Sequence, residues 1–291
     1  MTHLRHVPTG NAVHEAPGPP AKPKPSGHDT PLRGKLAAAL SFSGNVCALY
    51  FDSIASTSPN SRRVRSDIRN ARFRARARIA PVSVSEFSQS FEETNDGWSQ
   101  CTPLQLPPIC MGCDIGGAAY YAALAFITAK LQPKQVVEFG THLGVATTIF
   151  ATNASQSSIL TIDLPDDPGD LSNLNSTDRE HVQRTRNRVG QCYKGTPYEA
   201  RIAELRADTR ELVLRNHVRS ADLILIDGGH DCSCVTKDTE NAFAVAHPGT
   251  VILWDDYFWL YPDVVEYLDR LADHRNLVRI EGTNIVGHVA R

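Results

Sequence analysis

Residues 136–148 read Val-Val-Glu-Phe-Gly-Thr-His-Leu-Gly-Val-Ala-Thr-Thr, and this stretch decides the fold that we predict. Two β-branched residues and an acidic residue are typical of a strand, and the two glycines that follow are typical of a tight turn. The remainder of the stretch can be helical. Gly140 lets the chain reverse without a Cβ clash. Gly144 lets a ligand approach the helix, whose first N–H groups suit a polar or anionic group. A turn that binds no ligand is the alternative.

Composition sets the class of protein. The chain has 291 residues, enough for one large α/β domain with an appendage, and its 41% hydrophobic content is ordinary for a globular protein. With a net charge of -2, the whole molecule has no excess of positive charge that would favour binding to nucleic acid. We find no apolar run long enough for a transmembrane helix and no signal pattern. Seven cysteines, an odd number, favour reduced thiols and hence a cytoplasmic protein.

The chain divides by composition into three parts. Residues 1–31 are rich in Pro, Gly, His and Lys, so we expect a disordered tail. Residues 32–111 form an N-terminal extension, helical or irregular, and residues 112–291 form the main domain.

The extension contains an arginine-rich segment, residues 62–78. Arginines at 62, 65, 69, 72 and 76 recur at helical spacing, which predicts an amphipathic basic helix, although the alternation over 72–76 also permits a strand. We favour a solvated arginine face on a helix that packs on the main domain or on a second subunit, which is compatible with a homo-oligomer. Contact with nucleic acid or a membrane is the less favoured interpretation.

Beyond residue 136, apolar strands and helices alternate, which predicts a doubly wound, mostly parallel sheet. In open α/β sheets, ligands bind at the carboxyl ends of the strands. We therefore expect the acidic residues that follow the strands to converge near Gly140. These residues are Asp163, Asp208, Asp227, Asp255 and Asp256.

Carboxylates at that edge have two chemical uses. Asp163 could accept two hydrogen bonds from a ribose diol, or could simply end its strand. Asp227, Asp255 and Asp256 suit a hard divalent cation such as Mg²⁺, which takes oxygen ligands. Alternatively, these three carboxylates orient loops or a substrate amine without metal.

Several motifs occur in a fixed order. They are Glu-Phe-Gly-Thr-x-x-Gly (138–144), Ile-Asp-Leu-Pro (162–165), Asp208, Ile-Asp-Gly-Gly-His (226–230) with Asp238 downstream, and Trp-Asp-Asp-Tyr (254–257). The series resembles the class I S-adenosylmethionine (SAM)-dependent methyltransferases, closest to small-molecule and sugar O-methyltransferases and cephalosporin-hydroxylase-like proteins. The resemblance covers roughly residues 112–290. It implies a Rossmann-like, seven-stranded sheet with a reversed last strand, for which residues 284–289 are the candidate.

The resemblance also implies roles for residues of this chain. Glu138, Gly140 and Gly144 would hold the methionine part of SAM, with Thr141 in the same cofactor-binding set. Asp163 would hold the ribose, and Asp208 with Thr209 would lie by the adenine. Asp227 would lie near the methyl donor or a metal, and Asp255 and Asp256 would bind the metal or substrate.

His230 and Asp227 are the candidate catalytic residues. An imidazole with an ordinary pKa of ~6.5 suits removal of a hydroxyl proton, so His230 is a candidate general base. A positioning or structural histidine beside a glycine loop is the alternative.

The resemblance therefore predicts transfer of a methyl group from SAM to a hydroxyl of a small molecule, of natural-product or sugar type. A divalent cation such as Mg²⁺ could assist the reaction. Two other functions stay open. One is a hydroxylase-like or other metal-dependent reaction, because a fold does not determine its chemistry. The other is a non-catalytic module that binds SAM or a partner through residues 62–78.

Overall fold

The computed structural model describes residues 69–92, 104–107, 115–167, 171–172 and 174–291. The strands are β1 Pro81–Val82, β2 Gln135–Phe139, β3 Ser158–Asp163, β4 Ile202–Arg206, β5 Ala221–Ile226, β6 Ala246–Trp254, β7 Val278–Ile280 and β8 Val286–Val289. The helices are α1 Val84–Glu92, α2 Ile115–Leu131, α3 Val145–Asn153, α4 Ser176–Thr185, α5 Cys232–Val245 and α6 Pro262–Leu271. Residues 69–74 are also helical.

The strands form one mixed sheet in the order β1-β7-β8-β6-β5-β2-β3-β4. Strands β4, β3, β2, β5 and β6 are parallel, whereas β8 runs antiparallel to both of its neighbours. The predicted Rossmann-like sheet and its reversed last strand are therefore confirmed. The chain proceeds outward from β2 to β4 and then returns to β5 beside β2, so the topological switch point lies between β2 and β5.

The part of the chain that the structure describes has eight strands in this sheet, one more than the seven predicted. The eighth strand, β1, comes from the N-terminal extension and pairs with β7 in parallel. Helix α1 follows β1 at once, and its Phe87 and Phe91 are buried and meet edge to face, 5.7 Å between ring centroids. A two-residue strand shows no alternation of apolar and polar positions, so the sequence carried no signal for it.

Two hydrophobic layers cover the sheet. Val136 and Leu223 face one layer with α1, α2 and α3, whereas Val137 and Ile224 face the other with α5 and α6. Because both faces are covered, the central strands read as continuous apolar runs rather than as alternating ones. Within the described ranges, none of the helices has the length and apolar character that a membrane span requires.

The outcome differs among the other predicted elements. Residues 209–216, which follow β4, make a turn and a short 3-10 helix, Leu214–Asn216. The arginine-rich segment is helical over residues 69–74. Residues 62–68, and the predicted disordered tail at residues 1–31, lie outside the described residues. The boundaries of the three predicted domains stay a prediction.

Gly140 marks the closest approach between two loops of the sheet. It has φ +93°, and a Cβ built on it would lie 1.8 Å from the carbonyl oxygen of Asp227. The neighbouring backbone is bonded across the same gap, with Asp227 N–H donating to the carbonyl of Phe139 at 2.9 Å. The turn after β2 thus packs directly on the turn after β5, and only glycine fits there.

We predict that Gly140→Ala destabilises the protein more than Gly282→Ala does. Gly282 also has positive φ, +81°, but a Cβ there would meet nothing within 4 Å. The left-handed backbone should cost about 1–2 kcal/mol in each variant, and overpacking should cost Gly140→Ala about 1–3 kcal/mol more. Urea unfolding of both variants measures the difference, and equal losses would contradict the packing argument.

Candidate active site

The register of the parallel strands places four of the predicted residues in one row. Phe139 of β2 pairs with Ile162 of β3 and with Ile226 of β5. Ile226 pairs in turn with Trp254 of β6. The residues one position later are therefore neighbours along the carboxyl edge of the sheet. In spatial order they are Asp163, Gly140, Asp227 and Asp255.

A cavity of about 340 Å³ opens at this edge, within the size range of small-molecule sites. Seven of the predicted residues line it: Gly140, Asp163, Asp208, Thr209, Asp227, His230 and Asp256. Helix α4, together with Leu174 two positions before it, forms another wall, and the helix contributes Asp178, His181, Val182 and Thr185. The predicted convergence of the strand-end carboxylates is thus present in the structure.

Three of the predicted cofactor residues do not line the cavity. They are buried and pack within and around the turn that follows β2. Glu138 is 1% exposed and accepts hydrogen bonds from the hydroxyls of Thr147 and Thr161, the second at 2.6 Å. Thr141 is buried and shares a 2.6 Å hydrogen bond with Thr161. Gly144, at the N-cap of α3, packs so closely on the Tyr193 ring that a Cβ would lie 2.6 Å from it. Direct contact of these residues with a cofactor stays a prediction.

Asp163 is held rigidly at the end of β3. Its carboxylate accepts backbone hydrogen bonds from His142 at 2.7 Å and from Leu164 at 2.8 Å. Burial raises the pKa of Asp163, and these two bonds act against the rise. The bond to His142 also joins β3 to the glycine turn, so the carboxylate and the turn keep a constant relation.

Asp208 faces the opposite wall of the cavity. Its carboxylate forms a two-pronged pair with the Arg210 guanidinium, at 3.0 Å from Nε and 2.6 Å from Nη2. Hydrogen bonding to Arg210 lowers the pKa of Asp208, so the group is ionised and oriented.

Three carboxylates meet beside the cavity, and two of them, those of Asp227 and Asp256, belong to its lining. Asp227, Asp255 and Asp256 each offer a ligand oxygen, and these oxygens lie within 4.8 Å of one another. Burial, followed by repulsion from Asp255 and Asp256, raises the pKa of Asp227 well above its ordinary value. Burial and Asp256 raise the pKa of Asp255 to about 8. The hydroxyl of Tyr120, from α2, donates to Asp227 at 3.0 Å.

This acidic cluster fits a divalent cation. Like charges forced together in a partly buried place are relieved either by protonation or by a bound cation. The donor atoms are all carboxylate oxygens, which Mg²⁺ and Mn²⁺ prefer. Residues Asp227, Asp255 and Asp256 could therefore hold such a cation.

His230 lies between two carboxylates. Its Nε2 is 2.6 Å from Asp256 Oδ2, and its Nδ1 bonds with Asp178 Oδ1. Burial lowers the pKa of the imidazole, but the hydrogen bonds to Asp178 and Asp256 outweigh burial and raise it to about 10. The ring is therefore an imidazolium at neutral pH with both nitrogens engaged, which suits a positioning group better than the predicted general base.

Sequence reasoning missed two residues of the site, Asp178 and Tyr120. Asp178 lies 52 positions before His230, and this distance along the chain gave no sign of their contact. Tyr120 is embedded in the apolar run of α2. Tyr261, which lines the cavity, stacks on the His230 ring at 3.9 Å between centroids.

Known proteins give three findings. Residues 137–257 match the family model described as a methyltransferase domain. No curated protein matches the sequence. Solved structures that are similar include O-methyltransferase TomG from Streptomyces achromogenes, described in complex with SAM and as involved in tomaymycin synthesis. TomG is 11% identical and has a TM-score of 0.43, with 74% of this chain and 92% of that chain covered.

Two further solved structures are similar at the same level. The calicheamicin methyltransferase CalS11 is 16% identical, with a TM-score of 0.43 and with 70% of this chain and 91% of that chain covered. A methyltransferase from Geobacter sulfurreducens is 15% identical, with a TM-score of 0.41 and with 72% and 98% covered. Because these scores are below 0.5, no functional detail is transferred from those structures.

We predict a pH-dependent cost of burying Glu138. Burial raises its pKa from 4.5 to about 7, against the hydroxyls of Thr147 and Thr161, which lower it. Between these values the folded protein holds a proton that the unfolded chain has released, so stability falls as the pH rises. Relative to Glu138→Gln, the wild-type free energy of unfolding should fall by roughly 3 kcal/mol between about pH 5 and 8.

Urea unfolding across that pH range measures this difference. Exposed Glu211 offers a matched control, because Glu211→Gln should leave the pH dependence of the wild type unchanged. Parallel stability curves for wild type and Glu138→Gln would contradict the prediction.

Proposed function

We propose that the protein is a class I methyltransferase that transfers a methyl group from SAM to a hydroxyl of a small molecule, and the match of residues 137–257 to the methyltransferase-domain model supports this proposal. The resemblance of the sequence motifs favours a natural-product or sugar acceptor. The proposal includes assistance by a divalent cation at the acidic cluster.

One observation carries the proposal: Asp227 belongs to both halves of the site. It lines the cavity beside Gly140, and it is also one of the three carboxylates of the acidic cluster. A cofactor held at the glycine turn and an acceptor oxygen held at the cluster would therefore be adjacent. Adjacency of the two reactants is the main requirement of a displacement at an activated methyl group.

The residues that would hold SAM have distinct tasks. Asp163, fixed by two backbone bonds, would accept hydrogen bonds from the ribose hydroxyls. Gly140 leaves room for the methionine part, and Asp208 with Thr209 would face the adenine. SAM supplies a methyl group on a positively charged sulfonium, and a positive charge beside Asp227 and its neighbours would relieve the repulsion among their carboxylates.

The acceptor hydroxyl must lose its proton when it attacks. A cation held by Asp227, Asp255 and Asp256 would lower the pKa of a hydroxyl bound to it. We propose Asp227 as the proton acceptor, since it lies where cavity and cluster meet. His230, with both ring nitrogens bonded to carboxylates, would hold Asp256 in place.

We predict that Asp163→Ala weakens SAM binding at least about tenfold, because hydrogen bonds to a charged group contribute about 1.5–3 kcal/mol each. The matched control is Asp222→Ala. The Asp222 carboxylate likewise accepts two backbone hydrogen bonds, from Lys134 and Gln135 at 2.8 Å each. Calorimetric titration with SAM should therefore show a loss for Asp163→Ala and none for Asp222→Ala.

Two results would reject the SAM site. One is wild-type protein that does not bind SAM. The other is equal weakening in both variants, which would attribute the loss to the fold. A wild-type protein that binds Mn²⁺ but not SAM would favour a different metal-dependent reaction on the same fold.

We predict that removing the cation, or one of its ligands, lowers methyl transfer. After chelation, adding Mg²⁺ should raise the melting temperature of the wild type by mass action, and Asp255→Asn should weaken Mn²⁺ binding by about tenfold or more. The control Asp273→Asn removes an exposed carboxylate that pairs with Arg78 and should leave Mn²⁺ binding unchanged. Full turnover after exhaustive chelation would contradict cation assistance.

A further inference from the structure

We infer that Asp178 and His230 are positioning residues that form a hydrogen-bonded relay from helix α4, a wall of the cofactor cavity, to Asp256 of the acidic cluster. The inference rests on the proposed function, because it concerns how the SAM site and the cation site communicate. It assigns a role to Asp178, which lies outside the sequence motifs, and a role other than proton abstraction to His230.

The relay is continuous in the structure. The carboxylate of Asp178 receives two hydrogen bonds from one residue: His230 Nδ1 donates to Oδ1, and the His230 backbone N–H donates to Oδ2 at 3.0 Å. On the other side of the ring, His230 Nε2 donates to Oδ2 of Asp256 at 2.6 Å. Since a carboxylate can only accept, both ring nitrogens act as donors.

The relay is also held from outside. Asn175 Nδ2 donates to Oδ2 of Asp178 at 2.7 Å, and its Oδ1 accepts the backbone N–H of Asp178 at 2.9 Å. The Tyr261 ring lies parallel to His230, 3.9 Å between centroids and 13° between planes. The side chains of Asp178 and His230 are only 6% and 12% exposed. Water therefore competes little for these bonds, and the imidazole has one orientation.

The two ends of the relay serve different ligands. Asp178 belongs to α4, which lines the cavity through His181, Val182 and Thr185. Asp256 belongs to the acidic cluster. A ligand that orders α4 thus also orders the Asp256 carboxylate, so that a second ligand at the cluster loses less conformational freedom when it binds.

The same geometry argues against proton abstraction by His230. A general base needs a ring nitrogen that faces the acceptor hydroxyl, whereas here one nitrogen faces Asp178 and the other faces Asp256. Releasing Nε2 would free the Asp256 carboxylate and releasing Nδ1 would free the Asp178 carboxylate, so either change would break the relay.

The test measures binding of SAM and Mn²⁺ to the full chain by calorimetry, each alone and in the presence of the other. In the wild type we expect each ligand to tighten the other by the same factor, about fivefold or more. In Asp178→Asn, the amide must turn its NH₂ group toward a donor, so Mn²⁺ affinity should fall about tenfold or more and the coupling should vanish. Asp178 is itself no ligand of the cluster, so loss of Mn²⁺ affinity reports the relay.

Glu180→Gln is the matched control. Glu180 lies on the same helix, is exposed and pairs with Arg184, so its substitution should change neither affinity nor the coupling. Far-UV circular dichroism and the melting temperature establish that both variants are folded. His230→Gln, which keeps a donor for one carboxylate but cannot bridge two, should lose the coupling as well.

A double-mutant cycle of Asp178→Asn and Asp256→Asn distinguishes an effect that passes through the relay from a general loss of order in α4. Through the relay, the losses of SAM affinity in Asp178→Asn and Asp256→Asn should be non-additive, because either substitution breaks the same chain of bonds. Additive losses would overturn the inference. So would loss of SAM affinity in Asp178→Asn with Mn²⁺ affinity unchanged. If wild-type protein binds no SAM, the proposed function fails, and Mn²⁺ affinity in Asp178→Asn alone decides whether Asp178 acts on the cluster.

Discussion

The site depends on one steric constraint, the contact between Gly140 and the backbone carbonyl of Asp227. A Cβ at Gly140 would lie 1.8 Å from that oxygen, so the two turns on either side of the switch point touch with no room to spare. The contact aligns the ends of β2 and β5, and the parallel register extends the alignment to Asp163 and Asp255. A glycine turn and a group of carboxylates, which are far apart in the chain, thereby become one cavity edge.

The electrostatics of the edge follow from that alignment. Acidic residues stand at the ends of β3, β5 and β6, and burial with mutual repulsion raises the pKa of Asp227 and Asp255. Asp208 is balanced by Arg210, and Asp178 and Asp256 share the His230 imidazolium. Asp227 and Asp255 have no such described cation beside them. A positively charged ligand or a divalent cation is therefore the natural complement of this end of the cavity.

The N-terminal extension packs on the loop that follows β6, which carries Asp255 and Asp256. Phe73 meets the Tyr257 ring at 5.4 Å, and the Arg69 guanidinium lies 5.0 Å from the Trp259 ring centroid. Both aromatic residues belong to the loop that follows Asp255 and Asp256. The residues over 69–79 thus brace the loop that carries the acidic cluster, which gives this part of the arginine-rich segment a packing role on the main domain. The packing uses Phe73 and Ile79, whereas most of the neighbouring arginines remain exposed.

The sequence by itself determined the class of fold, the position of the glycine turn and the set of strand-end carboxylates, because these depend on local periodicity and on the rule that parallel strands end at one edge. Tertiary structure decided the rest. It buried Glu138, Thr141 and Gly144 out of the cavity lining, and it added β1 to the edge of the sheet. It also placed His230 between Asp178 and Asp256, which are 52 and 26 positions away in the chain. Contacts between residues so far apart arise from packing, and no local pattern of residue types encodes them.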